Sequence, residues 1–119
     1  MHDDSALTEK FVRLVEAISR ELPGAERYVM VHHPAFRVGK KPFAIIGMES
    51  SVRKDVTLSI NLGPEMQLTL LEDERFTRTP YIGQHGWVTV RKGDLDAREL
   101  IGLVERSYRR IAGKKLVAE

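Results

Sequence analysis

Cysteine is absent from this sequence, and that absence excludes disulfides, thiolate metal sites, iron–sulfur clusters and cysteine nucleophiles together. Long apolar runs are missing too: the longest, Phe43 to Met48, falls far short of the roughly 18 residues that cross a bilayer. The first residues, Met1-His2-Asp3-Asp4-Ser5, are acidic and lack the positive start and apolar centre of a secretory signal, so the expected location is the cytoplasm, with no membrane partner. There is no internal repeat, low-complexity tract or linker-like segment. At 119 residues the chain has the commonest domain size, and residues 1–119 are read as a single domain.

Catalytic signatures are equally scarce. No Gly-x-Ser-x-Gly elbow places a nucleophile. No Gly-x-Gly-x-x-Gly or Walker pattern occurs, and Gly39-Lys40-Lys41 lacks the upstream glycine and downstream hydroxyl of a phosphate loop. A catalytic zinc needs three converging ligands. The histidines are His2, His32, His33 and His85, and neighbours such as His32 and His33 point to opposite faces of a strand. Glu72, Asp73 and Glu74 lie in a polar segment and read as solvated. The expectation is a protein that is not an enzyme, with no catalytic residue, metal or cofactor.

What is present suits a folded domain: 42% hydrophobic and 30% charged residues, with a formal net charge of +2 and a pI near 9.0. The charge is unevenly spread. Residues 27–54 carry Arg27, Arg37, Lys40, Lys41, Arg53 and Lys54 against Glu49 alone, whereas the first 26 residues are acid-rich.

Leu7, Phe11, Leu14, Val15, Ile18 and Leu22 recur at helical spacing, with Asp4 or Ser5 as N-cap and Pro23-Gly24 as the stop. From Arg27 to Asn61 the period becomes that of strands, with turns expected at Pro34, at Gly39-Lys40-Lys41-Pro42 and around residues 49–54. Val56, Leu58, Ile60 and Leu62 alternate with polar residues. Phe43-Ala44-Ile45-Ile46 is apolar on both sides, which fits either a central strand covered on both faces or a second apolar surface. Gly63-Pro64-Glu65 opens a short helix to about Glu72. Residues 73–80 read as polar connection, and 86–91 as the last strand. Asp96 and Glu99 form a capping-box pair for a closing helix whose apolar face is Leu100, Leu103, Val104, Tyr108 and Ile111, ending at Gly113. The fold class is therefore α+β: a two-layer sandwich with the N- and C-terminal helices packed on one face of an antiparallel sheet.

Three stretches, Ala35-Phe36-Arg37-Val38-Gly39-Lys40-Lys41-Pro42-Phe43-Ala44, Tyr81-Ile82-Gly83-Gln84-His85-Gly86-Trp87-Val88-Thr89-Val90 and Ser107-Tyr108-Arg109, carry a resemblance to the MmcQ/YjbR family in the right order over most of the chain. The family form more often reads His-Trp-Asn-Thr-Val where this chain has Gly86-Trp87-Val88-Thr89-Val90. The resemblance implies a small α+β fold similar to frataxin-like domains, and DNA binding through a double-wing arrangement.

Two functional readings follow. In the first, the chain binds DNA: Lys40-Lys41 and Arg53-Lys54 sit at two hairpin tips that act as wings and, with Arg37, Arg91 and Lys92, contact phosphates. In the second, a groove near Tyr81, His85 and Trp87 takes a small molecule or protein partner, which requires an open indole face. Either reading is compatible with a monomer or weak homodimer.

Overall fold

The computed structural model describes residues 4–47 and 56–117, excepting the side chains of 4–7 and 114–117. In chain order the elements are α1 (Asp4–Ser19), β1 (Glu26–Met30), β2 (His33–Val38), β3 (Lys41–Ile46), β4 (Thr57–Asn61), α2 (Pro64–Leu70), β5 (Phe76–Arg78), β6 (Trp87–Arg91) and α3 (Ala97–Val117). The described strands form one antiparallel sheet in the order β1-β2-β3-β4-β6-β5. Both end helices contact it, which gives the expected α+β layering.

The main core lies between the helices and one face of the sheet. Phe11, Val12 and Val15 from α1 and Leu100, Val104 and Tyr108 from α3 close over Phe36, Phe43, Leu58, Ile60, Val88 and Val90. Each such side chain contributes about 1.5–3 kcal/mol when fully buried. Phe43 and Tyr108 meet edge to face, with ring centroids 5.5 Å apart, the arrangement favoured by aromatic quadrupoles.

Several sequence expectations shift in position. Helix α1 is rolled relative to the simple stripe: Val12 is buried while Leu14 is 46% exposed. Because α1 packs against both β2 and α3, its buried face follows two neighbours and not one. Pro34 lies inside β2; the turn before it is Val31-His32, closed by Met30 opposite His33. The residues flanking a two-residue turn form the hydrogen-bonded pair, so Pro34 turns its missing N–H toward β3. Pairing with β3 begins only at Ala35, and no ladder bond is lost. The expected turn at 49–54 lies outside the described residues. Strand β5 falls in the stretch read as polar connection, since three residues are too few to show a period; Phe76 alone is buried there, with Thr77 and Arg78 exposed.

Of the two options for Phe43–Ile46 the structure shows the interior strand covered on both faces, all four side chains being fully buried. Phe43, Ala44 and Ile46 enter the main core, and Ile45 joins Ala35 and Trp87 in a smaller cluster bordered by Tyr28, Met30 and Ile82. Beside it the sheet is polar yet buried: Ser59 Oγ and Thr89 Oγ1 lie 2.7 Å apart, and Thr79 Oγ1 is 2.9 Å from Thr89 Oγ1.

The start of α3 follows its capping box: Glu99 N donates to Asp96 Oδ1 at 2.8 Å and Asp96 N to Glu99 Oε1 at 3.2 Å. At Gly113 the backbone leaves helical geometry (φ 76°, ψ 175°), where the glycine stop was expected. Arg75 ties the chain before β5 to this helix start, reaching Asp73 and Glu99, each at 2.9 Å, and the Asp94 carbonyl at 3.0 Å. Hydrogen bonds from Arg75 hold the Asp73 carboxyl below its ordinary range.

Candidate nucleic-acid interface

Successive turns of an antiparallel meander leave the sheet at alternate ends, and this decides which basic residues share a surface. The β2–β3 turn is Gly39-Lys40, closed by Val38 opposite Lys41. Both turn residues have positive φ, 57° and 73°, as in the two-residue turns whose twist matches that of paired strands. Lys40 and Lys41 are exposed there. The β3–β4 connection departs at Gly47, whose N–H bonds the Thr57 carbonyl, from the opposite end of the sheet. Arg53 and Lys54 themselves lie outside the described residues, but the segment that carries them leaves from the end away from Lys40.

The remaining basic candidates divide the same way. Arg91 pairs with Thr57 in the ladder, and Lys92 N bonds the Val56 carbonyl at 2.7 Å, so both stand at the Gly47 end. Arg91 is held by Asp94 at 2.9 Å. Arg37 belongs to the Lys40 end but is engaged by Glu26 at 2.8 Å, with its guanidinium 4.5 Å from the centre of the Tyr28 ring. Partial burial raises the Tyr28 hydroxyl above its ordinary pKa, and the Arg37 charge partly offsets this.

Arg78 joins the Lys40 end and was not among the sequence candidates. It closes β5 opposite Val88, is exposed, and forms no ion pair with another described residue. Lys40 and Lys41 share that condition. From β3 to β5 is three strand spacings, about 14 Å, so the three cations span a breadth comparable with a few phosphates. A Cβ at Gly83 would come within 2.5 Å of Arg78 Cγ, so the arginine stem crosses where the chain has no side chain. The signal for Arg78 is structural: only the pairing of a three-residue strand puts it at the same end of the sheet as the lysine turn.

A buried polar network lies behind this end. Asn61 Oδ1 accepts from Gly63 N at 2.9 Å and from Arg110 Nε at 3.0 Å. Ser107 Oγ accepts from Asn61 N at 3.0 Å and donates to the Phe43 carbonyl at 2.6 Å. Gln67 Nε2 donates to the carbonyls of Gly83 and Trp87 at 2.7 and 2.9 Å. Together these bonds fix β4, α2, α3 and the Gly83–Trp87 segment relative to one another.

Trp87, from the second reading, is 5% exposed and packs with Ala35 and Ile45, so its ring face is closed. Tyr81 is 91% exposed and His85 is also exposed. The three therefore form no open stacking pocket in this conformation. His33 begins β2 half-buried and His32 lies in the preceding turn; among the described residues no three His, Asp or Glu side chains converge as metal ligands would.

Lys40 offers a test free of folding losses. A left-handed backbone costs an L-residue about 1–2 kcal/mol, against up to about 1 kcal/mol of extra chain entropy for glycine. Lys40→Gly is expected to leave stability unchanged or raise it by up to about 1 kcal/mol in urea denaturation while removing one charge. A loss above about 1 kcal/mol would show that the lysine side chain supports the fold.

The model of the family described as YjbR matches residues 20–110, a span that takes in the lysine turn, Arg78 and the Asn61–Ser107–Arg110 network. Comparison with curated proteins gives no match.

Proposed function

The chain belongs to the YjbR family, and from that premise we propose that it is a DNA-binding module docking through the end of the sheet that carries Gly39-Lys40-Lys41. The observation that supports this is the alignment along one sheet end of Lys40, Lys41 and Arg78, each exposed and without an ion pair to another described residue. Cations left free in this way can exchange their counterions for phosphates, the dominant sequence-independent term in DNA affinity. Arg37 stays beside them as a partly neutralised neighbour. On this reading one wing docks on DNA, and Arg91 and Lys92 stand at the far end.

Charge reversal tests the reading. Lys40→Glu with Lys41→Glu should weaken binding of a labelled duplex or single strand by at least tenfold in fluorescence anisotropy at low salt. Arg78→Gln should weaken it by a smaller factor in the same direction. Lys92→Glu, at the opposite end, should leave it unchanged; equal losses from both ends would refute the assignment.

A further inference from the structure

We propose that Tyr81 is a stacking platform for an unpaired base, which makes single-stranded DNA the fuller ligand of the Lys40 end; the inference rests on the docking end proposed above. Tyr81 lies in the connection from β5 to β6, which leaves the sheet where Arg78 and Trp87 stand. That end also carries the Gly39-Lys40 turn. The Tyr81 side chain is 91% exposed, and no hydrogen bond or ring contact ties it to another described residue. It is a single open ring, not part of a pocket.

The backbone holds the ring outward in a fixed turn. Ile82 N donates to the Pro80 carbonyl at 2.7 Å across Tyr81, whose φ is 69°; this is a γ-turn of positive φ, a rare and strained form. Both flanks are anchored. Thr79 N bonds the Trp87 carbonyl at 3.3 Å, Thr79 Oγ1 lies 2.9 Å from Thr89 Oγ1, and Ile82 packs against the Ala35, Ile45 and Trp87 cluster. Strain that the surroundings maintain is concentrated at ligand sites, and a platform whose backbone is fixed before binding loses less entropy on binding.

Charge at this end selects the same ligand. A Cβ on Gly83 would lie 2.9 Å from Arg78 Nε, so the Arg78 head is held against a residue two positions from Tyr81, and ring and cation belong to one site. Among the described residues the acids at this end are Glu21, Glu26 and Glu65. Each has a basic neighbour: Arg37 bonds Glu26, Arg110 lines one depression with Glu65, and Arg20 adjoins Glu21 in the chain. Lys40, Lys41 and Arg78 remain uncancelled, so the sum is positive. Single-strand binders join such a cationic track to exposed aromatic faces. In a duplex each base face is covered by its neighbours, so a duplex meets the cations and not the ring.

The probes are a labelled thymidylate strand of about 12 nucleotides, within the site sizes of single-strand binders, an abasic strand of the same length, and a duplex. Fluorescence anisotropy at low salt reads all three. The thymidylate strand should bind at least fivefold more tightly than the abasic one, because a stacked base adds to the same phosphate contacts. Tyr81→Gly should remove that difference and leave duplex affinity unchanged, and Tyr81→Phe should keep it. Since glycine adopts positive φ without strain, Tyr81→Gly should melt no lower than the wild type; a lower melting temperature would assign the ring to the fold and overturn the proposal. Equal binding of the thymidylate and abasic strands, or a preference that survives Tyr81→Gly, would also overturn it. Those results leave the docking end standing if Lys40→Glu with Lys41→Glu still weakens both strands, whereas failure of every probe to bind overturns both readings.

Discussion

Gly86→Ala should destabilise the fold by about 2–5 kcal/mol, from backbone strain and collision together. The residue sits at φ 99°, ψ 13° as it closes the turn before β6, where an L side chain costs about 1–2 kcal/mol. A Cβ there would also lie 2.8 Å from both the Cα and the carbonyl carbon of Gly63 and 3.0 Å from Asn61 Oδ1. Backbone cannot swing aside as a side-chain tip can, and overpacking of this kind costs about 1–3 kcal/mol. Moving Gly63 would also disturb its bond to Asn61. Against a typical domain stability of about 5–15 kcal/mol, such a loss should appear clearly in urea denaturation. A change below about 1 kcal/mol would mean that the Gly63–Gly86 contact gives way freely.

Ser107→Ala should cost about 2–4 kcal/mol although it removes a single oxygen. The Ser107 side chain is fully buried, and its hydroxyl serves the Asn61 N–H and the Phe43 carbonyl at once. Its loss strands two buried backbone groups, each worth about 1–3 kcal/mol when unsatisfied. Ser19→Ala supplies the comparison: Ser19 Oγ is buried without a hydrogen-bond partner among the described residues, so its removal should be neutral or slightly stabilising. Equal losses from the two substitutions, measured by urea denaturation, would contradict the role given to the Ser107 bonds.

These sites show where the sequence was legible. Period and punctuation located both end helices, the meander and the α2 start, because each rests on local rules: 3.6-residue stripes, alternation, Gly-Pro and a capping box. The capping bonds of Asp96 and Glu99 stand as read. Ser107 appeared only as part of a motif, because its value lies in two bonds to residues 46 and 64 positions away. The glycines of Gly83-Gln84-His85-Gly86 likewise gain their meaning from Arg78 and Gly63 across space. Leu14 was assigned to the core because a stripe cannot tell how far a helix is rolled between two neighbours.

The candidate interface was legible in its residue types and not in its grouping. Lys40 and Lys41 were recognised from a turn signature, and they stand exposed at that turn. The alternation of turn ends, which composition does not show, puts the Lys40 turn at one end of the sheet and Gly47 and Val56 at the other; Arg53 and Lys54 lie outside the described residues. Arg37 and Arg91 read as available cations in the sequence, but Glu26 and Asp94 engage them. Arg78 is not legible in the sequence because the three residues of β5 are too few to show a strand period. Apart from Arg91, whose partner Asp94 stands three residues along the chain, the missing information is a strand pairing, which composition does not contain.

The salt dependence of DNA affinity tests the proposed docking end most directly. Each phosphate neutralised contributes a slope of about −0.9 to log K against log salt on duplex DNA. Replacing Lys40 and Lys41 together by glutamine should therefore reduce the magnitude of the wild-type slope by roughly 2, while Lys92→Gln leaves it unaltered. Absence of binding at low salt, or a slope that responds to Lys92 and not to Lys40 and Lys41, would contradict the assignment.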